Sequence, residues 1–202
     1  MPRISIALLL IASTPLSTAV AQLRGDSAAV AMARTMIARM GDTRVWAGAR
    51  TMHVIEEVHR PDVRLPYRSE TWRSLDAPRI WVRSRSAEID RTLARSPTEG
   101  WELRDSVLRR ATEMERRRWL GYWPRNIYVM YHRLAREDSL LWLVKMQERR
   151  FAVLDARSGE RLCDFDVTLG GDVLRWSASF GLDTEEWIYG PLVAFGPIRM
   201  PA

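Results

Sequence analysis

Only one cysteine, Cys163, occurs among the 202 residues, so no intramolecular disulfide can form. A domain without disulfides must rely on its apolar core for stability, and this chain is long enough to enclose one. Long hydrophobic runs are also missing. Beyond a short apolar stretch near the N-terminus, no segment approaches the ~20 residues that cross a bilayer. The composition therefore indicates one globular domain.

Recognisable catalytic and metal-binding motifs are absent from the sequence. It contains no HExxH, CxxC or GxSxG pattern and no glycine-rich phosphate loop. The histidines His53, His59 and His132 do not have the spacing of metal ligands. Cys163 belongs to an alternating apolar set, which favours a core position over a reactive thiol. We therefore expect no metal ion, no cofactor and no enzymatic activity.

The N-terminal segment has the three parts of a secretory signal peptide. A cationic residue, Arg3, precedes an apolar stretch at 4–12, and a small-residue A-x-A site follows at 19–21. This order predicts a cleaved signal peptide at 1–21 and a single mature domain at 22–202. The expected location is the periplasm, with secretion from the cell as the alternative. The other interpretation of the apolar stretch is a buried N-terminal helix.

Lysine is nearly absent, because Lys145 is the only one and the remaining basic residues are arginines. The formal net charge of the chain is +6. In a cytosolic protein this balance would suggest nucleic acid, but export makes a nucleic-acid partner unexpected. Anionic membrane surfaces, acidic glycans or acidic proteins are better partners for an exported basic chain.

Hydrophobic periodicity predicts helices at the start and in the middle of the mature chain. In residues 26–40 apolar side chains recur at helical spacing, and Gly41 ends this helix. Thr112 and Glu115 form a T-x-x-E capping box ahead of a second helix. A third helix is expected to begin at Pro124. Its apolar face consists of Ile127, Met130, Tyr131 and Leu134.

Alternating, β-branched and aromatic residues predict strands in the rest of the chain. Short extended runs fill 47–95, where polar residues occur on both faces and leave the inner face unassigned. In the last third, glycine-bearing turns between alternating runs indicate antiparallel hairpins. The pair Gly100-Trp101 belongs to another predicted hairpin, with an exposed turn at Asp105-Ser106. We expect Trp101 to face the concave side of the sheet.

The order of these elements predicts an α+β fold. We expect one large curved antiparallel β-sheet, an incomplete barrel, with the N-terminal helix and two inserted helices covering its concave face. A sheet that curves around a cavity is suited to an apolar ligand.

Nine tryptophans and an arginine-dense middle segment are the most unusual feature of the sequence. Tryptophan rings favour headgroup depth at a lipid surface, while guanidinium groups pair with phosphate. The arginines expected at lipid headgroups or a membrane surface are Arg109, Arg110, Arg116, Arg117, Arg118 and Arg125. The alternative is a solvated helix face with its tryptophans packed inward.

Several short motifs follow one another along most of the mature chain. They are Gly100-Trp101, Val153-Leu154-Asp155 with Ser158-Gly159-Glu160, Tyr189-Gly190-Pro191-Leu192, Phe195-Gly196 and Arg199-Met200-Pro201. These motifs follow an export signal and an amphipathic helix, and a helical segment interrupts the sheet. In this order they resemble the LolA/LolB-like superfamily. That superfamily comprises periplasmic carriers of outer-membrane lipoproteins and their relatives.

The resemblance implies an incomplete barrel with helices as a lid, enclosing an apolar cavity for acyl chains. We therefore expect an exported monomer that binds lipid or a lipidated protein, with a role in lipid or outer-membrane lipoprotein trafficking. The side chains expected to line the cavity are Met36, Trp72, Trp81, Trp101, Trp119, Trp123, Ile127, Met130 and Trp142.

Two other functions stay open. A sensor or binding module for an envelope protein would present a sheet edge or groove to a peptide. An exported hydrolase would use Glu56 or Glu57, together with Asp90 and His132. Because neighbouring strand residues point to opposite faces, Glu56 and Glu57 are not expected to act together.

Overall fold

A computed structural model describes residues 22–59, 64–181 and 183–201, so the predicted signal peptide lies outside the described residues. The fold is α+β, with about 24% helix and 46% strand, and the strands therefore set the architecture. They form two open, curved sheets and a C-terminal hairpin. The predicted sheet-dominated, incomplete-barrel fold is confirmed.

The first half of the chain is a six-stranded antiparallel meander preceded by a short strand and two helices. The leading elements are β1 (Arg24–Gly25), α1 (Ser27–Arg39) and α2 (Thr43–Gly48). The strands of the first sheet are β2 (Thr51–Val58), β3 (Tyr67–Ser74), β4 (Ile80–Arg85), β5 (Asp90–Arg95), β6 (Gly100–Arg104) and β7 (Val107–Arg110). Each strand pairs with its neighbours in sequence, so β2 and β7 are the two edges.

The second half consists of two helices, a second six-stranded sheet and the hairpin. The helices are α3 (Glu113–Tyr122) and α4 (Ile127–Ala135), joined by a 3₁₀ turn at Trp123–Arg125. The remaining strands are β8 (Leu141–Gln147), β9 (Arg150–Asp155), β10 (Arg161–Val167), β11 (Val173–Phe180), β12 (Asp183–Ile188), β13 (Leu192–Phe195) and β14 (Ile198–Pro201). The second sheet has the order β1-β8-β9-β10-β11-β12, and only β1 runs parallel to its neighbour.

The N-terminal segment closes one edge of the second sheet. The strand β1 pairs with the edge of β8 that does not pair with β9. Directly after it, the backbone N–H of Asp26 donates to the Leu143 carbonyl at 2.9 Å. The Asp26 carboxylate accepts from the Lys145 N–H at 2.8 Å. This edge is therefore occupied, and the single sheet expected from the sequence does not form.

Replacing Gly25 by alanine is expected to destabilise this attachment. Gly25 has a φ of 131°, and a Cβ built there would lie 2.0 Å from the Leu143 carbonyl oxygen. Backbone strain of this kind costs on the order of 1–3 kcal/mol before the steric clash is added. Urea denaturation followed by circular dichroism would measure the loss. As a control, Gly121→Ala in α3 meets no atom within 4 Å and should be neutral or stabilising, and equal losses would contradict the steric argument.

The main apolar core lies between the second sheet and the helices α1, α2 and α4. The predicted stripe of α1 is confirmed, since Ala29, Ala33 and Met36 are fully buried. From the sheet, Phe165 and the sole cysteine, Cys163, face the helices and are buried. Burial raises the pKa of the Cys163 thiol far above its ordinary value, which agrees with the expected core position.

The first sheet has a different, largely polar inner face. The buried residues of its strands all lie on one face of the sheet, and they include Ser69, Ile80, Arg95 and Glu102. This face packs against α3. The Arg109 guanidinium binds both Glu102 of β6 and Glu115 of α3. On the far edge, the Asp105-Ser106 turn is solvent-exposed as predicted, and both residues have positive φ, as a tight hairpin turn requires.

The helix boundaries agree with the sequence only in part. The capping box of Thr112 and Glu115 is present at the start of α3, as predicted. The third helix does not begin at Pro124, because that proline lies in the 3₁₀ turn and the Asn126 side chain caps α4 instead. The helix α2 was not predicted from the sequence. It lies between the helix predicted at 26–40 and the strands predicted at 47–95. The Asp42 carboxylate caps it by accepting from the Arg44 N–H at 2.9 Å.

Candidate ligand cavity

A cavity of about 650 Å³ lies between α2, β2, α4 and the C-terminal hairpin. This volume falls in the range of small-molecule pockets, ~300–1,000 Å³. Most of the side chains that line it are apolar: Val45, Trp46, Ala49, Met52, Val54, Ile55, Leu75, Tyr128, Phe195, Ile198 and Met200. The polar lining residues are Thr51, His53 and Glu56. Such a lining favours an apolar ligand with a few oriented polar contacts.

The cavity opens along the edge of the first sheet. Both inner-face residues of β2, such as Met52, and outer-face residues, such as His53, line it. Residues of opposite faces share one cavity only where it runs past the edge of the strand. In the described part of the chain, β2 pairs with β3 alone, so its other backbone edge faces the cavity.

The far wall of the cavity is the hairpin of β13 and β14. It is attached to the segment between α1 and α2, since the Arg199 N–H donates to the Met40 carbonyl at 2.8 Å. The Asp42 N–H donates to the Pro197 carbonyl at 3.0 Å. Gly41 between them has a φ of 107°, and a Cβ there would lie 2.5 Å from the Pro197 oxygen. The close approach of the hairpin therefore depends on glycine at this position.

Desolvation shifts the pKa values of two titratable residues that line the cavity, Glu56 and Tyr128. Although Glu56 as a residue is exposed, desolvation raises the pKa of its carboxyl, and the nearby Arg73 charge opposes that rise. Burial raises the pKa of the Tyr128 phenol, and the Glu56 charge adds to the shift. Tyr128 is therefore a neutral phenol at the cavity wall at ordinary pH.

The prediction that Trp101 faces the concave side is wrong, and Trp72 and Trp81, which were predicted to line the cavity, lie on the same outer face as Trp101. Strand register places all three on the outer face of the first sheet, opposite the buried Glu102. They belong to a row across all six strands that consists of His53, Trp72, Trp81, Ala94, Trp101 and Arg110. The rings of His53 and Trp72 stack at 3.9 Å between centroids. The aromatic side chains of this row therefore lie on the face opposite the ion pairs that Arg109 makes with Glu102 and Glu115.

The other side chains predicted to line the cavity also lie elsewhere. Met36, Ile127 and Met130 are buried in the main core. Trp142 is 40% exposed on the outer side of β8, with the Arg24 guanidinium 5.5 Å from its ring centroid. None of these four residues borders the cavity as the described residues define it.

Trp119 and Trp123 attach α3 and the following turn to the end of the first sheet. The indole N–H of Trp119 donates to the Pro78 carbonyl at 3.1 Å. That of Trp123 donates to the Ser74 carbonyl at the same distance. Within the described residues, Trp119 and Trp123 border two separate grooves and not the cavity. Their positions therefore do not match the prediction that they line it.

The arginines predicted at a lipid surface are mostly engaged in ion pairs. Arg109 holds Glu102 and Glu115, and Arg116 and Arg117 both bind Glu113. Arg110 stacks over the Trp101 ring at 5.8 Å, and Arg118 also has an interaction partner.

Arg125 contradicts the surface prediction directly. It is 5% exposed, pairs with Glu160 and donates to the Gly121 carbonyl at 2.5 Å. Its role is to connect the 3₁₀ turn to the second sheet.

The residues of the hydrolase alternative are not brought together. Glu56 and Glu57 point to opposite faces of β2, and Asp90 lies exposed on β5 beside Arg85. His132 is buried, with Nδ1 2.8 Å from the Trp46 carbonyl and Nε2 3.1 Å from the Asp76 carboxylate. Because a carbonyl oxygen only accepts, Nδ1 carries a proton, and Nε2 is engaged as well. His132 is therefore held in a structural contact.

The described residues offer no cluster of three or more histidine, cysteine or carboxylate side chains that could hold a metal ion. Of the other two histidines, His53 pairs with Glu70 and His59 with Glu57. Across the described ranges, every helix is too short or too polar to span a bilayer.

Sequence reasoning identified none of the residues that line the cavity as lining residues, because they come from four separated segments. Val45 and Trp46 lie on the unexpected helix α2, and Phe195 and Met200 lie on the hairpin. A usable signal exists only for α2, where the Asp42-Thr43 pair is typical of a helix start. The other lining residues come together only in the tertiary structure, which local sequence patterns do not reveal.

Comparisons of the chain with models of known protein families, with curated proteins and with solved structures find no match. The resemblance to the LolA/LolB-like superfamily therefore stays a prediction.

Proposed function

We propose that this protein is an exported, non-enzymatic carrier or receptor that binds the acyl chains of a lipid or a lipidated protein in the bacterial envelope. The observation that carries the proposal is the 650 Å³ cavity with its mainly aliphatic and aromatic lining. The signal-peptide pattern at 1–21 and the resemblance to lipoprotein carriers agree with it. An acyl chain gains about 0.8 kcal/mol for each methylene group it buries.

A bulkier residue in the cavity is expected to weaken acyl binding. Val54 lines the cavity on the inner face of β2. A Val54→Trp side chain that displaces about two methylene groups of the ligand should reduce affinity roughly tenfold. Titration with a fluorescent palmitate analogue would measure the change, and native mass spectrometry of the protein purified from cell envelopes would identify bound lipid.

Val107→Trp is the matched control, because Val107 is a strand valine that is 67% exposed and lies on β7, the edge of the first sheet opposite β2. This variant should bind the probe as well as the unaltered protein does. A protein that carries no lipid from the envelope and ignores the palmitate analogue would refute the proposal.

The free edge of β2 favours one second candidate, a binding module for an extended peptide. An added strand would pair with the unpaired backbone of β2, with alternate side chains directed into the apolar cavity. A photocrosslinking residue at position 55 would test this in cells. One dominant protein adduct and no lipid adduct would favour the peptide, whereas lipid adducts alone would exclude it.

A further inference from the structure

The arginine Arg73 lies beside two residues that line the cavity. It is the register partner of Met52, and Met52 lines the cavity. Its guanidinium carbon is 5.8 Å from the ring centroid of Tyr128, another lining residue. Arg73 therefore places a positive charge beside a mainly apolar space.

The guanidinium of Arg73 is incompletely paired. Its Nη1 atom is buried and has no hydrogen-bond partner among the described residues. Two other arginines on the inner face of the first sheet, Arg91 and Arg109, have a carboxylate partner, because both bind the buried Glu102. A buried donor without an acceptor is costly, and a charged one more so.

Three other arginines with a buried nitrogen that has no hydrogen-bond partner do not compete for the same role. One of them is Arg150, whose Nε lies 2.6 Å from Asp166 in an ion pair. The guanidinium of Arg125 also leaves Nε without a partner, but its other end holds Glu160. Arg83 leaves Nε unpartnered as well, but register places it on the outer face of β4. Arg73 differs from these three arginines because it lies beside Met52 and Tyr128, which line the cavity.

The groups around Arg73 add hydrogen-bond donors for an anion. The Tyr122 hydroxyl interacts with Arg73 and accepts from the Asn126 amide at 2.9 Å, which leaves its own proton to donate. Burial raises the pKa of this phenol, so it remains a neutral donor. The opposing group is Glu56, whose negative charge acts on Arg73 from β2.

We propose that the ligand is an anionic amphiphile, with its chain in the cavity and its carboxylate or phosphate on Arg73. A planar guanidinium matches the two oxygens of either group. This inference rests on the proposed function and narrows it to lipids that carry an anion close to the acyl chain.

The test compares a fluorescent palmitate analogue that has a free carboxylate with its methyl ester. The unaltered protein should bind the acid at least tenfold more tightly than the ester. Arg73→Gln should lose most of that preference while keeping its affinity for the ester, which also shows that the variant is folded. Glu56→Gln should bind the acid severalfold more tightly, because a competing negative charge has been removed.

Arg68→Gln is the matched control, since Arg68 lies on the same strand but points to the exposed outer face. It should retain the full preference for the acid. Measurable binding with equal affinity for acid and ester would overturn the anionic inference and leave the acyl-binding proposal standing. Failure to bind either probe would remove both. Arg73-dependent binding of inorganic phosphate by a protein that ignores the acid would assign the site to free phosphate and likewise overturn the inference.

Discussion

Replacing Phe165 by alanine is expected to lower the free energy of unfolding by about 3–5 kcal/mol, the range for large aromatic side chains removed from a packed core. Phe165 lies on β10 and is fully buried. Its ring stacks on that of Phe151 with centroids 5.3 Å apart and lies 6.0 Å from the Tyr131 ring of α4. The substitution therefore removes contacts within the second sheet and between that sheet and its helix.

Urea denaturation at constant temperature, followed by far-ultraviolet circular dichroism, would measure the loss for Phe165→Ala. The control is Phe195→Ala on the C-terminal hairpin, because Phe195 is 55% exposed. Its cost should stay below about 1 kcal/mol, close to that of ordinary surface substitutions. Similar losses for the two variants would show that the second sheet is not the principal core.

Replacing Glu102 by glutamine is expected to cost about 2–3 kcal/mol, somewhat below the 3–5 kcal/mol typical of breaking a fully buried ion pair. Glu102 is 4% exposed and binds both Arg91 and Arg109. Those two arginines remain nearly half exposed, which is why the smaller value applies. Without the carboxylate, two guanidinium groups face each other beside the buried Arg95.

The consequences of Glu102→Gln should be concentrated in α3. Arg109 links Glu102 to Glu115, and Glu115 closes the capping box with Thr112. Hydrogen exchange in 113–122 should therefore accelerate along with the loss measured in urea. The control is Glu113→Gln, which removes only exposed pairs with Arg116 and Arg117 and should cost less than about 1 kcal/mol. If both variants exchange α3 amides at the same rate, Glu102 does not hold the helix.

The same ion pairs should make the attachment of α3 dependent on pH. The bonds from Arg109 hold the pKa of the Glu115 carboxyl far below its ordinary value. A carboxyl with a lowered folded-state pKa contributes its stability above the ordinary carboxyl pKa and loses it as the pH falls further. This link should therefore be intact at neutral and mildly acidic pH.

The sequence predicts the second half of the fold better than the first for a physical reason. Around Phe165 one strand face is apolar and packs on helices, so alternation in the sequence identifies the inner side. In the first sheet the inner side carries Arg73, Arg95 and Glu102, while Trp72 and Trp101 lie outside. Alternation alone does not distinguish the two faces, and the usual preference for inward aromatics gives the wrong one.

The cavity shows the limit of pattern reasoning more clearly. Its walls come from the adjacent elements α2 and β2, from α4 and from the hairpin, and the last two are far from the first pair along the chain. Local periodicity places Met52 and Val54 on one face of a strand, but nothing in that pattern brings Met200 close to them. The unpaired nitrogen of Arg73 is likewise visible only when all neighbouring side chains are placed.

The buried Cys163 gives the protein a single internal reporter of its opening equilibrium. Because it is the only cysteine in the chain and is 1% exposed, a thiol reagent can modify it only when the core transiently opens. The labelling rate under native conditions then measures the population of opened molecules. A ligand that binds only the closed molecule divides that population by 1 + [L]/Kd, so unlabelled lipids can be ranked by how far each slows the modification of one sulfur atom.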